Sequence, residues 1–190
     1  MMAFQVPTPQ SQDKAIASVI HHLHQSRDWR EGPTDCQRAI YSLMLKYGRT
    51  WYIGTRTFEG RRAARKQCYM NAYTLTAKDP SMVYVEGWCM AGGYPFGHAW
   101  CIDPDGQVVD PTLREAAGYF GIPLRWRYVQ DAALKNRVYG VFPNSDLRTV
   151  AVETFLHDIV RIPVHVGTEN ALISAQITPR CGQVGSRRRW

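Results

Sequence analysis

Three side chains between Lys66 and Leu113 have the types needed for covalent acyl chemistry: the thiol of Cys68, the imidazole of His98 and the carboxylate of Asp110. A thiolate attacks a carbonyl carbon, an imidazole takes and returns the proton, and a carboxylate fixes the orientation of the imidazole. The order thiol, imidazole, carboxylate along the chain is compatible with that division of labour. Whether the three can meet depends on the elements that carry them.

The segment between the last two is a turn. Asp103-Pro104-Asp105-Gly106 suits a type I turn, with Pro fixing φ at the first central position and Gly taking the left-handed site that follows. A three-residue loop closing in a bulge at Gly106 pairs Asp103 with Gln107. Counting outward, Trp100 then lies opposite Asp110 and His98 opposite Thr112, so His98, Trp100, Asp110 and Thr112 share one face. His98 and Asp110 become diagonal neighbours roughly 7 Å apart at the backbone, within reach of a hydrogen bond. A two-residue loop would invert the second strand and separate them. For Cys68, the pattern of Asn71, Ala72, Tyr73 and Leu75 predicts a helix that Pro80 ends. A thiol in its first turn feels the positive end of the helix dipole, and the preceding Arg61-Arg62-Ala63-Ala64-Arg65-Lys66 adds cationic charge. Both favour the thiolate.

With those residues in place, Cys68 at a helix start, His98-Ala99-Trp100 in one strand and Asp110-Pro111-Thr112 after the next resemble the transglutaminase-like branch of the papain-like cysteine enzymes. The flanking Tyr84-Val85-Glu86-Gly87-Trp88 and Tyr119-Phe120-Gly121-Ile122-Pro123 are similar to small uncharacterised bacterial and phage proteins of that type. The resemblance covers about residues 66–124. It implies Cys68 as nucleophile, His98 as base and acid, and Asp110 as the group that orients His98. Gln67 stands before Cys68 where that superfamily often has a small residue, and no acidic calcium-binding loop accompanies the motif. No cofactor and no metal are expected.

Other residues are drawn in around this core. The Cys68 backbone N–H is one candidate oxyanion donor, and the side-chain amide of Gln67 or Asn71 is the second. Glu86 shares a strand face with Tyr84 and Trp88, either as a buried acid supporting His98 or as an exposed strand residue; Trp100 lies on the His98 face. Cys36 sits in the first turn of its own helix and lacks a comparable His-Ala-Trp partner, so it is the lesser nucleophile candidate. Cys89 and Cys101 are expected to pack as small apolar groups.

The expected architecture is α+β, papain-like or transglutaminase-like, with the Cys68 helix packed on a small antiparallel sheet. One domain spans 1–190: amino-terminal helices over 1–50, a core over about 60–130, and a weakly structured basic tail over 164–190. Ser11–Leu23 reads as a helix with His21, His22 and His24 near its end. No carboxylate or cysteine is spaced to complete a metal site with them, and a helix end where positive charge is favoured is the expected reading. Thr34 and Gln37 form a capping-box pattern before a second helix that Gly48 stops. Residues 50–60 read as a loop or short strand, Ser81–Trp88 as a strand, and Gly92-Gly93 with Pro95 as the turn into the His98 strand. Leu113–Phe120 reads as one helical turn, Leu124–Val129 as a strand, Asp131–Tyr139 as a helix, and Asp146–Val160 as a helix.

Composition bounds the partners. The chain has 190 residues, 45% of them hydrophobic, enough for a folded core. Five cysteines, without CxxC spacing, argue against a disulfide framework or zinc ribbon and suggest a reducing, cytoplasmic setting. No signal-peptide pattern and no membrane span is apparent. The formal charge of +7 suits an acidic substrate or partner. The function expected is a cysteine-dependent acyl transfer on an amide or ester, by a hydrolase, deamidase or transglutaminase-like transferase. Its substrate would be a protein, peptide or small molecule. The alternatives are an arylamine-type acyltransferase, or a non-catalytic basic module on a papain-like scaffold that binds nucleic acid or an acidic host protein. Arginines at 61–65 and 187–189, and the alternation of Arg125 and Arg127 with Trp126 and Tyr128, are the features behind that last reading. Nucleic acid is not the favoured partner.

Overall fold

The computed structural model describes residues 7–30, 34–53, 64, 66–113 and 116–142. It is an α+β arrangement of four helices and one five-stranded antiparallel sheet. Helix α1 runs over Pro9–Asp28, capped by the Thr8 hydroxyl accepting from the Ser11 N–H, with Pro9 at a position where its missing N–H costs nothing. Helix α2 covers Asp35–Tyr47 and begins with the expected capping box between Thr34 and Gln37. Strand β1 is Arg49–Trp51 and helix α3 is Cys68–Lys78. Strands β2 (Val83–Ala91), β3 (Tyr94–Ile102), β4 (Val108–Val109) and β5 (Ala116–Leu124) follow, then helix α4 (Trp126–Asn136). The strand order is β1-β5-β2-β3-β4.

The two faces of the sheet carry different work. On one, Tyr84, Met90, Ala99, Cys101, Phe120, Ile122 and Leu124 pack against Ile16, Val19 and Leu23 of α1, Ile40, Leu43 and Met44 of α2, and Ala72 of α3. On the other, Val85, Cys89, Trp100, Ile102, Val108 and Tyr119 form a second cluster with Trp51. Cys89 and Cys101 are both buried, as expected of small apolar groups. Helix α3 is fastened to β3 by sulfur: the Cys101 thiol lies 3.4 Å from the Ala72 carbonyl and 3.4 Å from the Thr76 hydroxyl.

Several boundaries differ from the sequence reading. Residues 116–120 are not helical but open β5, which continues to Leu124. Residues 124–129 are not a strand, since α4 begins at Trp126. β5 mixes weak strand formers with strong ones but is held by β2 along its length, and Gly118 and Gly121 leave room for close neighbours. A Cβ at Gly118 would stand 2.8 Å from Ile16, and one at Gly121 would stand 2.5 Å from Trp100. Pro123 is tolerated because β1 pairs only with residues 119–121, so no ladder bond is demanded of it on that side. Pro95 lies inside β3, opposite Met90; the β2–β3 turn is Gly92-Gly93 alone, both at positive φ as a two-residue hairpin demands. His21, His22 and His24 lie within α1 rather than at its end. Gly48 does end α2, but at φ −62° and ψ 147°; glycine is required there by space, because a Cβ would meet the Met44 carbonyl at 2.5 Å. The segments 146–160 and 164–190, and Arg61, Arg62 and Arg65, lie outside the described residues.

Candidate active site

The loop between β3 and β4 sets the site. The Gly106 N–H donates to the Asp103 carbonyl and the Asp103 N–H to the Gln107 carbonyl, both at 3.0 Å, while the Asp103 carboxylate accepts from the Gln107 N–H at 2.8 Å. Gly106 sits at φ +78°, the left-handed position. Cys101 pairs with Val109 and Ile102 with Val108. This is the three-residue-loop register expected from the turn chemistry. It puts Asp110 on the face of His98.

There the two meet: His98 Nε2 lies 2.7 Å from Asp110 Oδ2, and the residues are only 1% and 7% exposed. The Asp110 carboxylate is fully engaged. Oδ2 also accepts from the Tyr119 hydroxyl at 2.8 Å, and Oδ1 accepts from the N–H groups of Thr112 and Leu113 at 2.7 and 2.9 Å. Asp110 therefore organises the turn after β4 and orients the imidazole at once. An ionised carboxylate only accepts, so the ring must donate from Nε2, leaving Nδ1 as the free acceptor of the neutral imidazole. Cys68 lies near enough to that ring to act on its charge together with Asp110.

Cys68 reaches the ring because β3 has an open edge there. β4 pairs with Cys101 and Ile102, and among the described residues no strand lies alongside His98 on that side. The start of α3 comes to this edge and is tied to the turn after β4 through Asn71, whose side-chain amide donates to Thr112 Oγ1 at 3.0 Å and to the Ala64 carbonyl at 2.7 Å. Lys66 takes a left-handed φ of 63° just before the helix begins, a conformation that costs a non-glycine residue about 1 kcal/mol. Cys68 itself is half-buried.

The electrostatics follow from burial and pairing. Burial opposes charge on His98, but the hydrogen bonds and charges of Asp110 and Cys68 outweigh it and push its pKa up to about 9. Burial also works against the charge of Asp110; the His98 ring and the N–H groups of Leu113 and Thr112 more than reverse this and hold the carboxyl below its ordinary range. Trp100 stacks on the imidazole with ring centroids 6.3 Å apart and planes 15° apart, and Phe96 meets it edge-on at 5.8 Å.

The remaining sequence candidates divide. Both N–H bonds of the Asn71 amide are occupied, so Asn71 positions the helix start and is not an oxyanion donor. Gln67 is exposed at the α3 N-cap and makes no capping hydrogen bond with its side chain. Glu86 is buried, but on the opposite face of the sheet from His98, because successive strand residues alternate and Gly87 is the residue that faces His98. Its carboxylate accepts from the Tyr84 hydroxyl and from the N–H groups of Val141 and Phe142. Cys36 is half-buried in α2 and packs against the helix-side core. Tyr119 was missed as a partner of Asp110. The period-2 spacing of Tyr119, Gly121 and Pro123 would have shown it, had that stretch been read as a strand.

Arg125 is the α4 N-cap and Arg127 lies in its first turn, so the two do not alternate with aromatics along a strand. Among the described residues, no group of three or more His, Cys, Asp or Glu could hold a metal ion, and no helix is long and apolar enough to cross a membrane. No protein-family model, no curated protein and no solved structure matches this chain.

Proposed function

We propose that the chain is a cysteine-dependent acyl-transfer enzyme on a papain-like, transglutaminase-like scaffold, acting on an amide or ester through a thioester at Cys68. The observation that carries this reading is the buried imidazole of His98, held by Asp110 at 2.7 Å and close enough to Cys68 for the two to act on each other's charge. With its pKa raised to about 9, the His98 ring already carries the thiol's proton on Nδ1, and Cys68 attacks as the thiolate, Sγ bonding to the acyl carbon as the carbonyl electrons move to oxygen. The same nitrogen then returns the proton to the departing amine or alcohol as its bond to the acyl carbon breaks. Water in a hydrolase or deamidase, or an amine in a transferase, attacks the thioester while His98 takes its proton; the C–S bond breaks and Cys68 is regenerated. The negative oxygen of each tetrahedral intermediate is served by the N–H groups at the start of α3, which have no preceding helical turn to bond. Gln67 is the neighbouring side-chain amide left to assist.

Intact mass after incubation with cell extract tests the reading. An acyl adduct that maps to Cys68 and is absent from Cys68→Ala is the expected result. An adduct on another cysteine, or one that survives Cys68→Ala, contradicts it.

A further inference from the structure

Among the described residues, Glu86 is the buried carboxylate that the acyl chemistry does not use, and it lies against a cavity. It lines a cavity of about 190 Å³ together with Tyr41, Tyr69, Trp88, Phe142 and Gln37. That is roughly six waters' worth at about 30 Å³ each, room for the end of a long side chain. Tyr41, Tyr69, Trp88 and Phe142 supply its aromatic wall, and Tyr41 and Trp88 lie in contact with centroids 5.6 Å apart. Among the described residues the carboxylate has three donors for four acceptor positions: Oε1 takes the Tyr84 hydroxyl and the Val141 N–H, and Oε2 takes the Phe142 N–H. No cation lies near it among the described residues. Burying a carboxylate without a cation is costly, and an incoming positive group would offset that cost.

The cavity lies on the sheet face opposite the His98 ring, and part of its wall is made of neighbours of Cys68 and His98 in the chain and in strand pairing. Tyr69 follows Cys68 in α3, Gly97 precedes His98 in β3, and Gly87 lies directly opposite His98 in β2; all three line it. Gly97 leaves room for Tyr69, whose hydroxyl would stand 3.3 Å from a Cβ there.

We propose that this cavity binds the ammonium or guanidinium end of a substrate, with Glu86 as the counter-charge and Trp88, Tyr41 and Tyr69 as the cation-binding walls. Aromatic faces attract a desolvated cation through their quadrupole, and the carboxylate selects charge over mere length. Burial pushes the Glu86 pKa up to about 7 against the hydrogen bonds of Phe142, Val141 and Tyr84, the condition of a carboxylate still short of a cationic partner. The assignment of this cation to a reacting substrate rests on the acyl-transfer reading; the binding itself does not.

The test is titration of the protein with Nα-acetyl-lysine N-methylamide, its arginine counterpart, and the neutral Nα-acetyl-norleucine N-methylamide, followed by calorimetry. The cationic probes should bind about tenfold tighter than the norleucine probe, the scale of a desolvated cation–π contact. That preference should disappear in Glu86→Gln and shrink severalfold in Trp88→Leu and Tyr41→Leu. The two aromatic variants leave the hydrogen bonds of Glu86 to Val141 and Phe142 in place and keep the test informative where Glu86→Gln does not fold. Binding retained in Cys68→Ala, with no thioester found in the wild type, would support the cavity while removing the acyl chemistry. Equal binding of lysine and norleucine probes, or a preference unchanged by Trp88→Leu and Tyr41→Leu, would overturn the proposal.

Discussion

Asp110 serves two functions at the residue scale, and they are separable by substitution. Through Oδ1 it closes the turn after β4 on the N–H groups of Thr112 and Leu113; through Oδ2 it holds His98 and accepts from Tyr119. Tyr119→Phe removes one donor to a buried anion while keeping the ring that packs against Trp100 at 4.9 Å. It should cost about 1.5–3 kcal/mol in urea unfolding, the worth of a hydrogen bond to a charged group. A loss near zero would mean that the remaining donors satisfy Asp110 unaided. The pairing of His98 with Asp110 was legible in the sequence because local turn chemistry dictates it. The bonds from Val141 and Phe142 to Glu86 join residues 55 and 56 positions apart and leave no local pattern to read.

At the scale of elements, the same contrast separates the β3–β4 hairpin from the stretch after it. Asp103-Pro104-Asp105-Gly106 fixes its own register, so the geometry of the loop transfers from sequence to structure without help from the rest of the chain. β5 does not, because Ala116, Ala117, Gly118, Gly121 and Pro123 are weak strand formers interrupting the strong ones. Their conformation is imposed by pairing with β1 and β2 and by the close approach of α1 and Trp100. Residues 124–129 alternate as a half-buried strand would, yet the chain turns into α4 there, burying Val129 in the helix-side core. Gly121→Ala tests the imposed packing: its Cβ would fall 2.5 Å from the Trp100 ring and 2.6 Å from the Glu86 carbonyl. Overpacking of this kind should cost about 1–3 kcal/mol and displace the ring that stacks on His98. Thermal unfolding reads the first effect and the tryptophan near-ultraviolet circular dichroism the second; an unaltered spectrum would place Trp100 elsewhere. Deleting Gly106 should have a sharper outcome, since a one-residue slip turns Asp110 to the other face. A folded variant with undiminished Cys68 reactivity would contradict the role assigned to the loop.

For the whole molecule, the buried acids and His98 set how stability varies with pH. Glu86 holds its proton more tightly in the folded state, with a pKa of about 7 against an ordinary 4.5; the resulting stabilisation is present below 4.5 and is lost as pH rises through about 7. At 1.36 kcal/mol per pH unit that contribution is about 3 kcal/mol. His98, raised from 6.5 to about 9, acts in the same sense: its contribution is complete below 6.5 and lost as pH rises through about 9. Asp110, held below its ordinary 3.8, contributes above that value and loses its contribution as pH falls through its lowered pKa. The melting temperature should therefore be highest near about pH 5 and fall by several degrees toward pH 9. In Glu86→Gln the portion of that decline between about pH 5 and 7 should flatten. A wild-type melting temperature that rises from pH 5 to 9 would show that neither group is buried as described.

The competitive alkylation of the five thiols at neutral pH, mapped by peptide, tests most directly whether Cys68, His98 and Asp110 act as one unit. In the folded wild type Cys68 should react first, ahead of half-buried Cys36 and buried Cys89 and Cys101. In Asp110→Asn, which keeps an oxygen for the Thr112 and Leu113 N–H groups, the protein should still fold. Its His98 ring loses the carboxylate that fixes the tautomer, and Cys68 alkylation should slow by about tenfold or more. His98→Ala should slow it at least as much. Labelling of Cys68 that is no faster than that of Cys36, or that is unchanged in a folded Asp110→Asn, would contradict the account.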